Sequence, residues 1–210
     1  MSTQRQPIAV VSLAWDVVDL IESTGAHQLI GFFDASPACD TREFRYLGND
    51  ESWTQVRAEM PELRIALAID DPVLSERLYS HYGTEAIVNL QSPHAYVSSR
   101  ASLGHGCIVQ RGVTVMPYAQ VGVACRLNLN CAVHHDAVIG RFSTLAPGSQ
   151  ILGNVIVGER VYIGAGAIIR QRCRVGDGAL VGAGAVVVAD VPPGAVVVGV
   201  PAKRTLRLTQ

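Results

Sequence analysis

From Val97 onward every sixth residue of this chain is valine, isoleucine or leucine, through sixteen consecutive positions ending at Val187. Four residues after each of the first fifteen stands alanine, cysteine, serine or valine. No insertion interrupts the register. A period of six with an aliphatic at one place and a slim residue four later describes a short strand and a turn, repeated. Three such hexads close one triangular coil of 18 residues, so fifteen complete hexads give about five coils. Stacked coils pair their strands in parallel and bury a continuous aliphatic stripe. Glycine follows the aliphatic directly at Gly104, Gly122, Gly140, Gly158, Gly164, Gly176 and Gly182. That suits either an unusual backbone torsion or a close approach of neighbouring backbones.

The composition agrees with so narrow a core. Apolar residues make up 49% of the 210 but aromatics only 6%, and there are 20 glycines. Four of the five cysteines, Cys107, Cys125, Cys131 and Cys173, occupy the slim inward position, where a thiol acts as a small hydrophobe. None lies in a CxxC arrangement, so neither a disulfide framework nor a zinc knuckle is indicated. Cys39 lies in a loop-like stretch without an assignable partner. A net charge of −1 with 17% charged residues carries no electrostatic footprint for nucleic acid or an anionic membrane. The apolar run Ile8–Ala14 is too short for a signal-peptide core, and nothing approaches ~18 apolar residues. A cytoplasmic protein with no membrane insertion is expected.

Residues 1–90 read differently. Strands are expected over 8–14, 28–33, 64–69 and 85–90, the second broken by Ala35-Ser36-Pro37. Helices are expected over 16–22, 53–60 with Ser52 as a possible cap, and 71–82 with Pro72 in its first turn. Alternating strands and helices predict a small Rossmann-like α/β domain with a parallel sheet, leaving 91–210 to the β-helix and its tail. Ligands of such sheets bind beyond the carboxyl ends of the strands, which makes Ser12, Asp34, Asp70 and Asp71 candidates.

The hexad consensus, with the ending Asp190-Val191-Pro192-Pro193-Gly194 and Val198-Gly199-Val200-Pro201-Ala202-Lys203, resembles the left-handed β-helix acyltransferase superfamily. Joined to a small α/β domain, it is similar to the NeuD/PglD-like sugar O- and N-acetyltransferases. The resemblance implies the left hand of the coil, acetyl-CoA as co-substrate, a nucleotide-linked sugar held by the small domain, and a homotrimer with cofactor between subunits. The family's glycine-rich loop with a Gly-His-Gly element after the first strand is replaced here by Ser12-Leu13-Ala14-Trp15-Asp16. Asp70-Asp71 stands where Gly-Asn often follows the third strand. Neither departure offers the bare backbone that approaches a pyrophosphate closely.

The polar residues of the β-helix concentrate between Asn128 and Gly140 and stay in register. Val133-His134-His135-Asp136-Ala137-Val138-Ile139-Gly140 resembles the family's His-Asp/Glu-x-x-Ile-Gly active-site motif, which makes His135 the general base and Asp136 its carboxylate partner. Imidazole, titrating near ~6.5, suits removal of a proton from an attacking amine or hydroxyl. Neighbours on an extended strand point apart, so a His135–Asp136 contact requires a turn there. His134 falls on a variable position. The resemblance places Asn128 at the acceptor, although a packed asparagine at a turn is an equal reading of the residue alone. Thr144 stands where some members carry a second, cofactor-touching histidine. Gly153-Asn154-Val155 resembles the turn whose N–H stabilises the thioester oxyanion. Ala165 and Ala183, one coil apart, resemble the wall beside the pantetheine arm, and Lys203 with Arg204 a contact to CoA phosphates.

Two other classes share this architecture. A γ-carbonic-anhydrase-like metal enzyme needs three histidines together, and no two of His94, His105, His134 and His135 lie a whole number of coils apart; no metal is expected. A catalytically inactive β-helix scaffold is the other.

Overall fold

The computed structural model describes residues 5–36 and 44–205. Pro37 and Cys39 lie outside the described residues.

The small sheet is parallel throughout, in the order β3-β2-β1-β4, with β1 at Gln6–Val11, β2 at His27–Phe33, β3 at Tyr46–Gly48 and β4 at Arg64–Leu67. Helix α1 (Trp15–Thr24) packs Val17, Leu20 and Ile21 with Ile8, Val10 and Phe32 on one side of the sheet. Helices α2 (Trp53–Glu59) and α3 (Pro72–Tyr82) cover the other side, where Trp53, Leu78 and Tyr82 join Ala9, Val11 and Phe33.

Several expected boundaries move, each for a local reason. β1 stops at Val11 because Ser12 takes a left-handed φ of 61°, and α1 then begins already at Trp15. Ser52 does not cap α2. It closes a 3₁₀ turn over Asp50–Ser52 and is itself helical, and its hydroxyl bonds Asn49 Oδ1 at 3.3 Å. Asp71, expected inside the third helix, is its cap and accepts from the Leu74 N–H at 2.8 Å. The segment 85–90 does not form a fourth strand of this sheet. Ile87 bridges Ile65 once, and the chain then leaves for the β-helix. The fourth strand is instead β3, at the opposite edge beside β2, three residues long and without an alternation that would announce it.

Leu90–Gln91 is the first rung of the prism, paired in parallel with Ile108–Val109. Every later rung pairs with the rung 18 residues on, with no register shift through Val186–Val187. Three faces result: face I carries seven parallel rungs beginning at Leu90–Gln91, face II six beginning at Tyr96–Val97, and face III five beginning at Ser102–Leu103. The chain's end, Lys203–Thr205, folds back antiparallel on Val196–Val198 to finish face I. The repeated aliphatics and the slim residues form one buried column from Cys107 to Val197. Burial pushes the Cys131 thiol up to about 12, as befits a structural cysteine.

The glycines after each aliphatic are there for closeness. Gly104, Gly122, Gly140 and Gly164 lack a positive φ, but a Cβ on any of them would overlap the backbone of the next coil. The left-handed torsion falls two residues later, at Gly106, Gly112, Gly148, Gly166 and Gly184. The two kinds of glycine make a prediction. Gly140→Ala should cost ~2–3 kcal/mol, because two backbones must part. Gly166→Ala, with φ +66° and open space around it, should cost only ~1 kcal/mol of torsional strain. Thermal denaturation of the two variants should rank them in that order.

Candidate functional site

The coil positions the candidate residues in separate groups. The first lies on the edge where the chain leaves face II. His135 and Asp136 follow the rung Ala132–Val133, and Asp136 has a φ of 59°. This left-handed residue turns the chain so that two sequence neighbours face one another. His135 Nδ1 stands 2.8 Å from Asp136 Oδ2, with both side chains about half exposed, at 54% and 50%. The carboxylate fixes the tautomer: Nδ1–H donates to Asp136, and Nε2 keeps the lone pair.

One coil on, the Asn154 N–H donates to the His135 carbonyl at 3.1 Å. The imidazole lies over Gly153, where a Cβ would sit 2.7 Å from both Cε1 and Nε2. Gly153 is therefore the floor beneath Nε2, with its N–H uncommitted to any carbonyl of the described residues. The backbone N–H of His134 donates to Ile151 O at 2.9 Å.

The second group is a seam between the small domain and face I. The outward residues of that face are Leu90, Ile108, Arg126, Thr144, Tyr162 and Leu180 down successive rungs. The first two are buried against β1 and α1. Arg126, whose side chain is only 7% exposed, bridges two acids of the small domain: Nη2 lies 2.8 Å from Asp16 Oδ2, and Nε 3.2 Å from Asp70 Oδ1. Gln110 adds a bond to Asp16 Oδ2 at 2.9 Å.

Asn128 is buried here with both ends of its amide used. Its Oδ1 accepts from Arg126 Nε at 3.0 Å and its Nδ2 donates to Asp70 Oδ1 at 3.1 Å. Thr144 is 2% exposed and donates its hydroxyl to the Asp70 carbonyl at 2.9 Å, a contact between the two domains. Sequence reasoning brought Asp70 and Asn128 to the site but missed Arg126, Asp16, Gln110 and Tyr162. The available signal was charge and polarity in an outward column that opens with Leu90 and Ile108.

The third group lies where the chain leaves face I. Ala165 and Ala183 are exposed and stacked one coil apart, joined by Gly184 N–H to Ala165 O at 2.8 Å. A Cβ at Gly166 or Gly184 would meet nothing within 4 Å, so this edge is a strip of small residues with open space beside it. Lys203, exposed, closes its lower end by pairing with Val198. Ser12 and Asp34 form a fourth group at the carboxyl edge of the small sheet. The Ser12 N–H donates to Phe33 O at 2.9 Å, and the Tyr46 hydroxyl donates to Asp34 O at 3.1 Å. Among the described residues no three His, Cys, Asp or Glu side chains gather as a metal site would need, and no helix is long and apolar enough to cross a membrane.

Residues 136–171 and 154–189 match the model of the bacterial transferase hexapeptide, six repeats. The chain superposes on the acetyltransferase domain of PglB from Neisseria gonorrhoeae FA1090, solved with acetyl coenzyme A, with a TM-score of 0.89 and 27% identity, over 96% of this chain and 100% of that one. The chain carries hexapeptide repeats and is built like the NeuD/PglD-type sugar acetyltransferases. Its β-helix is left-handed, as theirs is. PerB from Caulobacter crescentus, solved with CoA and GDP-perosamine, gives a TM-score of 0.86 at 29% identity, over 95% of this chain and 97% of that one. In sequence, the GDP-perosamine N-acetyltransferase of Escherichia coli O157:H7 is 35% identical over 91 residues, which is 43% of this chain and 40% of that protein's length.

The seam is open to a direct test. Arg126→Met leaves Asp16 and Asp70 without their cation and should destabilise the protein by about 1–3 kcal/mol in urea unfolding. Arg126→Lys should recover little of this, because one ammonium cannot serve both acids along the Nε and Nη2 directions.

Proposed function

We propose that this protein transfers an acetyl group from acetyl-CoA to an amino or hydroxyl group of a nucleotide-linked sugar, in glycan biosynthesis. Residues 1–90 hold the acceptor and 91–210 carry the chemistry. The observation that carries this reading is the His135–Asp136 pair at 2.8 Å with Nε2 poised over Gly153. The structural likeness to acetyltransferases solved with acetyl-CoA, or with CoA and GDP-perosamine, supports it.

Acetyl-CoA supplies the acyl group as a thioester, and the small-residue strip of Ala165 and Ala183, ending at Lys203, fits its arm and phosphates. His135 Nε2 takes the proton from the acceptor atom as that atom adds to the carbonyl carbon. Asp136 stabilises the imidazolium that results. The Gly153 N–H donates to the carbonyl oxygen as it becomes an oxyanion, a contribution worth a few kcal/mol (~2.7–4 in comparable cases). The imidazolium then returns its proton to the departing CoA sulfur, so no covalent enzyme intermediate is needed. Asp70 faces the acceptor with the oxygen that Arg126 and Asn128 leave free, while Asn128 and Thr144 act through Asp70 by holding it. Ser12 and Asp34 bind the nucleotide end.

The base and the small-residue strip stand on different edges of one prism. A neighbouring copy brings the two kinds of edge together, which favours a homotrimer with its sites between subunits. A cytoplasmic location accords with acetyl-CoA and nucleotide sugars as substrates.

Thiol release from acetyl-CoA, measured against a panel of amino-sugar nucleotides, tests the reaction. With the best acceptor, His135→Ala should lower kcat by about 10²–10⁴-fold; full activity in that variant would refute the assignment and leave a scaffold. Gly153→Ala pushes a methyl into the imidazole and should lower kcat by roughly a hundredfold, with the melting temperature little changed.

A further inference from the structure

An open parallel sheet binds its ligand in the crevice where the strand order reverses, which here lies between the carboxyl ends of β1 and β4. In this protein that crevice is already filled from outside the small domain. The Arg126 guanidinium sits between Asp16, in the first turn of α1, and Asp70, beyond the end of β4. The Arg126 Nε–H also donates to Asn128 Oδ1, and Gln110 donates to the Asp16 carboxylate. A diphosphate could not enter without breaking two ion pairs and facing both acids uncompensated, and the β1–α1 turn has no glycine with which to approach it.

The rim left open is the other half of the same edge, at the ends of β1, β2 and β3. Three features meet there. Ser12, with its left-handed φ, turns the chain out of β1 as a glycine would. Asp34 follows β2, 22 residues after Ser12, the place from which an acid in such folds reaches ribose hydroxyls. Trp15 opens α1 with half its surface, 50%, in water, and its ring centroid lies 5.8 Å from that of Phe44 at a tilt of 52°. The only other tryptophan, Trp53, is 4% exposed in the core. An indole braced by an aromatic and half exposed, on the same sheet edge as an acid suited to ribose, is a surface for a flat heteroaromatic ring. Each base stacked on such a ring gains ~1–3 kcal/mol.

The geometry points to Trp15 as the residue on which the acceptor's nucleobase stacks, with Asp34 on the ribose and the diphosphate running outside the crevice that Arg126 fills. This deepens the function proposed above and rests on its nucleotide-linked acceptor. The ligand class is a nucleoside diphosphate, and stacking of this kind accepts purine and pyrimidine bases alike.

The test uses the full-length protein with GDP, UDP and dTDP as probes. Trp53→Phe leaves Trp15 as the sole tryptophan, and a bound base should quench its emission saturably. Independently, calorimetry on Trp15→Ala, an exposed change in an otherwise unaltered chain, should show the tightest-binding of the three weakened by about tenfold or more. Trp15→Phe should restore most of the affinity. Pyrophosphate alone should neither quench nor compete well. Nucleoside diphosphates that bind the unaltered protein but bind Trp15→Ala equally well would overturn the stacking role and leave the acceptor assignment standing. Failure of all three to bind the unaltered protein would overturn both.

Discussion

The structure depends on a single distance, the spacing at which parallel coils stack. Rungs 18 residues apart pair without slippage, so each residue stands directly over its counterpart about 4.8 Å away. At that spacing the interior has room for one aliphatic per strand and one slim residue per turn. Closer still, after some of the aliphatics backbone meets backbone, and a Cβ at Gly104, Gly122, Gly140 or Gly164 would overlap the next coil. A core made this way is narrow, regular and nearly free of polar groups. Chemistry is therefore carried on the edges and the outer faces, where a side chain can change without disturbing the stack.

Face I shows how such a change creates a second function for a structural column. Leu90 and Ile108 point outward and are buried by the small domain, so the first rungs act as an apolar landing for α1 and β1. At the next rung the same column presents Arg126, and the contact becomes ionic. Burying a guanidinium is costly unless its charge and hydrogen bonds are matched. Asp16, Asp70 and Asn128 supply that match from two directions. Further down, Tyr162 is still within reach: burial first, and then the charge of Asp70, push its phenol above the ordinary range, with Arg126 opposing them. The seam thus moves from apolar to ionic to open, and the small domain's binding edge ends where the β-helix becomes accessible.

The repeat was legible in the sequence because its requirements are strict. A single charged residue in the inward column would be intolerable, and there is none between Val97 and Val187. The small domain was less legible, since its elements rest on contacts that periodicity does not reveal. β3 is three residues that pair only because β2 is beside them. The segment 85–90 reads as a strand and is apolar for a different reason, passing under Ile65 on its way to the prism. Asp70 and Asn128 could be picked out as polar residues at promising places, yet their mutual contact spans 58 residues of chain. Arg126 carried no motif at all, and its role exists only where two domains meet.

The His135–Asp136 pair illustrates how far the repeat reaches into the candidate site. His135 and Asp136 are adjacent, and in an extended strand their side chains would diverge. They meet because the third residue after each inward aliphatic is left-handed around the prism: Tyr118, Ala124, Asn130, Phe142, Asn154, Arg160 and Arg172 share the torsion of Asp136. Such a torsion is unfavourable for most residues by ~1–2 kcal/mol, and asparagine and aspartate tolerate it best. An aspartate at this turn position is accordingly cheap to hold and is swung back onto the residue before it. The turn that closes the coil is the turn that orients the imidazole. Any coil of this prism with histidine at the second and aspartate at the third turn position would form the same pair. What distinguishes this coil is Gly153 beneath it, the residue that leaves space for the ring.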